Sequence, residues 1–288
     1  MKNHFEDATI ICLDGLDCSG KETISKIIKE SDLINEKYNK IEVISFPDYH
    51  EYSIYRDLVS NLLDKNTYKF HNDNSNLKDI DKIIFEARMF YYNIYNGLIN
   101  VNRTLWDIEK SKKRLIILDR YWYSNLFYQT AKYLMQRFPE DKQIENHSEQ
   151  IMINTISVLF NEAKNFNFPK VDKYFYIKMP IEFIKHFLSE KTRKDENESN
   201  LDYLIYTKSF YDKYLETVFA LTDDTRSYTI DTEYEKRIYD EENIEIKTFK
   251  DKKDNRLVYA ANINKSYQKL KTTKEIANEI IDNILKEK

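Results

Sequence analysis

The sequence predicts an α/β fold, a parallel sheet covered on both faces by helices. Three observations predict it. Short apolar runs recur along the chain, as buried strands require. Stretches with apolar residues at helical spacing separate them. Near the N-terminus, a strand-like run passes through two closely spaced glycines and a lysine into a helical pattern.

In chain order, Ala8 to Leu13 (Ala-Thr-Ile-Ile-Cys-Leu) is the first predicted strand, and Ile24, Ile27 and Ile28 mark the helix after it. Ile41 to Ser45 is the second strand. Lys65 to Asp81, polar and Asn-rich, reads as a long loop. Ile83, Ile84, Ala87, Phe90, Tyr91, Ile94 and Leu98 then form a helical stripe. The third strand is Leu115 to Leu118. A helix starting near Tyr123 would bury Phe127, Ala131 and Leu134 and keep Asn125, Tyr128 and Gln129 on another face. Leu134 to Pro169 holds one more amphipathic stretch (Met152, Ile156, Leu159, Phe160). Tyr174 to Ile177 is the fourth strand, and Pro180 opens a helix whose apolar face is Ile181, Ile184 and Leu188. Leu221 to Arg256 is charge-dense, with Lys247 to Lys253 expected as a solvated hairpin or loop. Leu257 to Ile263 is the expected fifth strand. Thr272-x-x-Glu275 is a capping box in front of the last helix, whose stripe is Ile276, Ile280 and Ile284. Neither repeats nor a Pro/Gly/Ser linker interrupt the chain, so one domain spanning 1–288 is expected.

Composition narrows the function. Apolar residues at 41% supply a core, and 33% charged residues exclude a disordered chain of one sign. With 45 Lys and Arg against 49 Asp and Glu, net charge −4, no bulk attraction to nucleic acid or anionic membrane is expected. No run approaches a membrane span, and Met1 to Ala8 lacks the apolar core of a signal peptide. Two cysteines, Cys12 and Cys18, make no disulfide framework, so a cytoplasmic location is expected. The five histidines show no metal-ligand spacing.

Average usage would give about twenty glycines in a chain of this length, yet there are only three. Where glycine persists under such scarcity, the backbone is expected to need it. Gly15 and Gly20 belong to Gly15-Leu16-Asp17-Cys18-Ser19-Gly20-Lys21-Glu22-Thr23, which follows a strand and opens a helix. This is the phosphate-binding loop pattern G-x-x-x-x-G-K-[ST] in its required context, except that Glu22 stands where Ser or Thr is usual. Such a loop turns its N–H groups on an anion at a helix N-terminus, and Lys21 adds a charge. Asp119 at the end of the third strand is where a nucleotide kinase carries a carboxylate for Mg²⁺, and neighbouring Arg120 can clamp a second phosphate.

The sequence resembles the thymidylate kinase family of P-loop nucleoside-monophosphate kinases. Four blocks carry the resemblance: Gly15 to Thr23, Phe46 to Tyr49, Asp119 to Gln129 (Asp119-Arg120-Tyr121-x-x-Ser124-Asn125-x-x-Tyr128-Gln129) and Lys191 to Tyr211. It implies a three-layer P-loop kinase fold, with a five-stranded parallel sheet flanked by helices and a helical lid near residues 186–200. It implies ATP and Mg²⁺ as cofactors and a nucleoside monophosphate, dTMP first, as acceptor. Gly15 through Thr23 would bind ATP. Asp14, Phe46, Pro47, Tyr49, Phe90, Arg120, Ser124, Asn125, Tyr128 and Gln129 would form the acceptor site, with Phe90 stacking on the base. Lys21, Arg120 and Arg193 would be catalytic, and Asp119 would serve the metal. A homodimer is compatible with the family. Ile94 stands where the family usually has a base-contacting Arg. Two other readings stay open: a deoxynucleoside kinase with Asp14 as base, and a non-catalytic nucleotide binder, to which Glu22 and Ile94 point.

Overall fold

The computed structural model describes residues 8–45, 113–121, 123–124, 126–128, 130–131, 171–190, 201–222, 227–231, 245–250, 257–263 and 266–286. Numbered among these residues, the elements run β1 (Ala8–Asp14), α1 (Lys21–Glu30), α2 (Asp32–Lys37), β2 (Lys40–Ser45), β3 (Arg114–Asp119), β4 (Lys173–Lys178), α3 (Ile181–Glu190), α4 (Leu201–Thr222), β5 (Ser227–Asp231), β6 (Glu245–Lys250), β7 (Leu257–Ile263), β8 (Ser266–Lys269) and α5 (Thr273–Leu285). Residues 123–124, 126–128 and 130–131 are helical as well.

Five strands form one sheet in the order β2-β3-β1-β4-β5, and every neighbouring pair is parallel. β1 is central: Ile11 pairs with Ile117 of β3 and with Lys173 of β4. The strict alternation of a strand distributes its side chains between two cores. Ile10 and Cys12 of β1, Ile116 and Leu118 of β3, and Tyr174 and Tyr176 of β4 share one face with Phe127, Ala131, Phe183 and the α4 residues Tyr211, Leu215 and Val218. Ile11, Leu13, Leu115, Ile117, Phe175 and Ile177 share the other with Ile24 and Ile28 of α1 and Ile276, Ile280 and Ile284 of α5. Both faces being buried explains why these strands read as continuous apolar runs. At roughly 1.5–3 kcal/mol for each large apolar side chain buried, these two layers are the main favourable contribution to folding.

The α5 start follows its sequence signal. Glu275 N–H donates to Thr272 Oγ1 at 3.2 Å, and Thr272 N–H donates to the Glu275 carboxylate at 2.8 Å. The other end of α5 is closed by amines, since Lys37 Nζ donates to the carbonyls of Ile284 and Leu285.

One strand expectation is corrected. Leu257–Ile263 is a strand, but it pairs antiparallel with β6 and β8 in a separate three-stranded sheet. Only residues 264–265 separate β7 from β8, and 251–256 separate β6 from β7. Connections this short allow antiparallel pairing only, because a parallel crossover needs a dozen residues or more. The fifth strand of the parallel sheet is instead Ser227–Asp231, reached from β4 through α3 and α4. Of Lys247 to Lys253, expected as a solvated hairpin or loop, the residues as far as Lys250 belong to β6, one arm of the β6–β7 hairpin. Residues 65–81, the helical stripe over 83–98, all of 134–169 and the basic part of the expected lid lie outside the described residues. No described helix is long and apolar enough to cross a membrane.

Candidate active site

The site is built where β1 and β3 deliver their C-terminal ends. β1 closes at Asp14 and α1 opens at Lys21, leaving residues 15–20 to turn the chain. Gly15 has φ +146°, and a Cβ there would sit 2.8 Å from the Ile177 carbonyl oxygen, so the loop lies directly on the β4 backbone. Gly20 caps α1 in the left-handed region at φ +85°, with its carbonyl accepting from Ile24 N–H at 2.9 Å. Only glycine takes these conformations freely. Cys18 also has positive φ, at 62°.

Lys21 folds back into this loop. Its ammonium donates to the carbonyls of Gly15 (3.1 Å) and Leu16 (2.7 Å) and to Ser19 Oγ (3.3 Å), and the residue is only 7% exposed. Burial first, and the Arg120 charge second, lower its pKa from 10.5 to about 8; Asp119, Asp17 and Asp14 act in the opposite sense. Among the described residues this ammonium is held by carbonyl and hydroxyl oxygens rather than by a carboxylate in direct contact, and this arrangement at a helix N-terminus favours a bound anion.

The β3 end adds a carboxylate and a second cation. Asp119 Oδ1 is buried and accepts no hydrogen bond among the described residues. Burial raises the Asp119 pKa, while Lys21 and Arg120 hold it down. Arg120 follows with φ 73°, its N–H donating to Leu13 O at 2.8 Å. This left-handed turn, uncommon for a non-glycine residue, aims the guanidinium back over the phosphate loop. There it forms an ion pair with Asp17 and donates to Tyr128 Oη at 3.3 Å. The guanidinium carbon also sits 4.7 Å from the centre of the Tyr128 ring. Tyr128 Oη in turn accepts from Asp17 N–H (3.1 Å) and donates to the Asp17 carboxylate (3.3 Å). A loop carboxylate, the arginine that follows β3 and a helical tyrosine are therefore one hydrogen-bonded unit.

Asp14 faces elsewhere. Parity along β1 puts it on the Ile10 and Cys12 face, and it has no exposed surface. Its carboxylate accepts from Gly15 N–H at 2.7 Å, from Tyr211 Oη at 2.8 Å and from Tyr174 Oη. Three donors hold this carboxylate, and it has no open surface.

A cavity of about 330 Å³ opens against the start of α1, lined by Cys18, Gly20, Thr23, Met179, Phe187 and Leu270 and by Lys271, Thr272, Thr273 and Ile276 from the entry to α5. Its size and largely apolar wall suit a flat organic group attached to an anion in the loop.

Of the residues expected at the site, the structure brings together Gly15 through Thr23, Asp119, Arg120 and Tyr128. Ser124 is buried near them, its N–H bonded to Tyr121 O at 3.1 Å. Phe46, Pro47, Tyr49, Phe90, Asn125, Gln129 and Arg193 lie outside the described residues. Sequence reasoning missed three features: the Asp17–Arg120 pair, the tyrosines on Asp14, and the cavity wall from α3 and the α5 entry. The first two join residues about a hundred or more positions apart. A signal did exist for Tyr203 and Tyr211, which stand eight apart and so share a helix face.

A parallel sheet with a glycine-framed, lysine-bearing loop leading from its central strand into a helix defines a phosphate-loop α/β fold. Neither a protein-family model nor a curated protein matches the sequence. Among solved structures, a deoxyadenosine kinase from M. mycoides with bound dATP is similar at TM-score 0.43 and 16% identity, over 77% of this chain and 90% of that one. A thymidylate kinase from Ehrlichia chaffeensis is similar at TM-score 0.41 and 14% identity, over 96% of this chain and 98% of that one.

Proposed function

We propose that this protein is an ATP-dependent nucleoside-monophosphate kinase of the cytoplasm, with a deoxynucleoside monophosphate, dTMP first, as acceptor. The observation that carries the reading is the convergence of the Lys21 ammonium, the loop at the α1 N-terminus and the Asp119-Arg120 pair. In phosphoryl transfer the protein does little covalent chemistry. It positions two substrates and stabilises charge on the moving phosphoryl group.

In this reading the loop N–H groups and Lys21 hold the β- and γ-phosphates, and Lys21 keeps the Gly15 carbonyl while turning its other two donors to phosphate oxygens. The base of ATP takes the cavity beside Thr23 and Phe187. Arg120 holds the acceptor phosphate once that anion competes with Asp17 for the guanidinium. Tyr128 keeps the guanidinium plane oriented, and Arg193 supplies the cation that the loop's variable positions lack. The donor set fits magnesium: Asp119 offers a carboxylate oxygen with no hydrogen bond among the described residues. No group of three His, Cys, Asp or Glu among the described residues could hold a metal ion. Such a site suits an ion bound through one carboxylate, water and substrate phosphates. When bound, Mg²⁺ neutralises phosphate charge.

The test is ADP release from Mg²⁺-ATP with each deoxy- and ribonucleoside monophosphate and each free nucleoside. Turnover with dTMP above the other monophosphates supports the reading. ATP binding with no ADP from any acceptor would select a non-catalytic nucleotide binder. One observation favours a second reading, a deoxynucleoside kinase. The Asp17–Arg120 pair leaves the guanidinium already neutralised beside a loop carboxylate, an environment for a neutral hydroxyl acceptor. Turnover confined to free nucleosides would select it.

A further inference from the structure

The mechanism above leaves the buried carboxylate of Asp14 unused. A carboxylate with no exposed surface costs several kcal/mol of desolvation unless its lone pairs are filled. Asp14 fills them with donors from three elements: Gly15 N–H of the loop, Tyr174 Oη of β4 and Tyr211 Oη of α4. Gly15 belongs to the site, because its carbonyl is one of the oxygens on the Lys21 ammonium. The chain of contacts thus runs from α4 to the lysine through Tyr211, Asp14 and Gly15.

The Tyr211 ring is fixed on three sides. It stacks on Tyr176 at 4.9 Å with 4° between planes, tilts against Phe127 at 4.4 Å and meets Tyr128 edge-on at 6.4 Å. Its hydroxyl therefore has little freedom to leave Asp14. The same helix sends Tyr203 Oη to the carbonyl of Tyr128 at 3.1 Å, on the Arg120 side of the site.

We propose that Asp14 and Tyr211 are positioning residues for the phosphate loop. Tyr211 orients the Asp14 carboxylate, Asp14 holds the Gly15 N–H and so one side of the Gly15 Cα, and the Gly15 carbonyl on its other side is one of the oxygens that set where Lys21 stands. The proposal rests on the phosphotransfer reading of Lys21 only for its kinetic consequence; the positioning itself is readable in the free protein.

The experiment compares the full-length protein with Tyr211→Phe, which keeps the ring and deletes one donor, and with Tyr176→Phe as the matched control. Tyr176 is equally aromatic and buried, but its hydroxyl bonds Asp212 rather than the loop. In the free protein, Tyr211→Phe should speed exchange of the Gly15 amide about 10-fold, the equivalent of one hydrogen bond to a charged group, and Tyr176→Phe should leave it unchanged. In turnover, Tyr211→Phe should lower kcat about 10-fold at saturating substrates while Tyr176→Phe leaves it near wild type, and Tyr211→Phe should lose more thermal stability because its donor serves a fully buried carboxylate. Equal exchange rates in Tyr211→Phe and wild type, or equal effects of the two variants, would overturn the proposal. Tyr174→Phe, read in the same way, decides the question should Tyr211→Phe not fold. A wild-type protein without kinase activity would sink the proposed function, while the exchange measurement would still decide the positioning.

Discussion

Substituting Lys21 by methionine removes the ammonium while keeping the chain's length and apolar stem, and its effect on stability should depend on pH. Lys21 titrates near 8 in the folded protein against 10.5 for an ordinary lysine, because burial and Arg120 penalise its charge. The folded-state pKa is the depressed one. Below about 8 both states carry the proton, and the cost of burying it is paid in full. Between about 8 and 10.5 the unfolded chain binds a proton that the folded protein has lost, so stability rises with pH, approaching ~1.4 kcal/mol per pH unit. Between pH 7 and 9 the gain comes to about 1 kcal/mol, or roughly 2–4 °C in Tm for a chain of this size. Buried Cys12, Tyr174 and Tyr211, whose pKa values burial raises, act in the opposite direction at the alkaline end. The measured quantity is therefore the difference in Tm between wild type and Lys21→Met, in which the two tyrosines cancel. It should move in favour of wild type from pH 7 to pH 9, and saturating ATP should flatten it, since a bound phosphate restores the lysine's charge. A difference that is flat without nucleotide, or that moves the other way, would refute the buried-cation reasoning. In turnover the same substitution should lower kcat by at least ~100-fold, the scale of one preorganised charge contact.

Arg120→Ala should raise the KM for the acceptor far more than that for ATP; equal effects in steady-state kinetics would place Arg120 outside the acceptor site. Arg193→Ala should cut kcat strongly while ATP affinity, measured by calorimetry without acceptor, stays near wild type; a normal kcat would remove the lid from the mechanism. Gly15→Ala should abolish nucleotide binding more than it lowers Tm, since its Cβ would press on the Ile177 carbonyl at 2.8 Å and displace the loop rather than the core. Thr272→Ala deletes the α5 cap and should cost about 1 kcal/mol in denaturant unfolding; an effect below a few tenths would mean that the cap is compensated.

The local elements were legible because their signals are local. The apolar runs of β1, β3 and β4, the α1 periodicity after Lys21 and the Thr272–Glu275 box each depend on residues within one turn or one strand. β7 shows where that ends. Leu257–Ile263 has the composition of a strand, but composition does not state a partner, and pairing with β6 and β8 came from the short connections on either side. Ser227–Asp231 was hidden for the converse reason. Its five residues include Ser, Thr and Asp, too weak a run to stand out from its charged surroundings, and register against Tyr174 to Lys178 makes it a strand.

For the candidate site, scarcity of glycine and the spacing to Lys21 were enough to locate the loop between β1 and α1, because a tight turn restricts the backbone within a few residues. Asp119 and Arg120 were legible as the end of an apolar strand. What the sequence could not hold is which charge meets which. Asp17 reaches Arg120 because adjacent parallel strands bring their C-terminal ends together and Arg120 turns through a positive φ. Asp14 meets Tyr211, 197 positions away, because strand parity turns it toward the face that α4 covers. Local backbone chemistry is written in neighbouring residues. The pairing of buried charges and hydroxyls belongs to the packing of distant elements, and only the tertiary structure decides it.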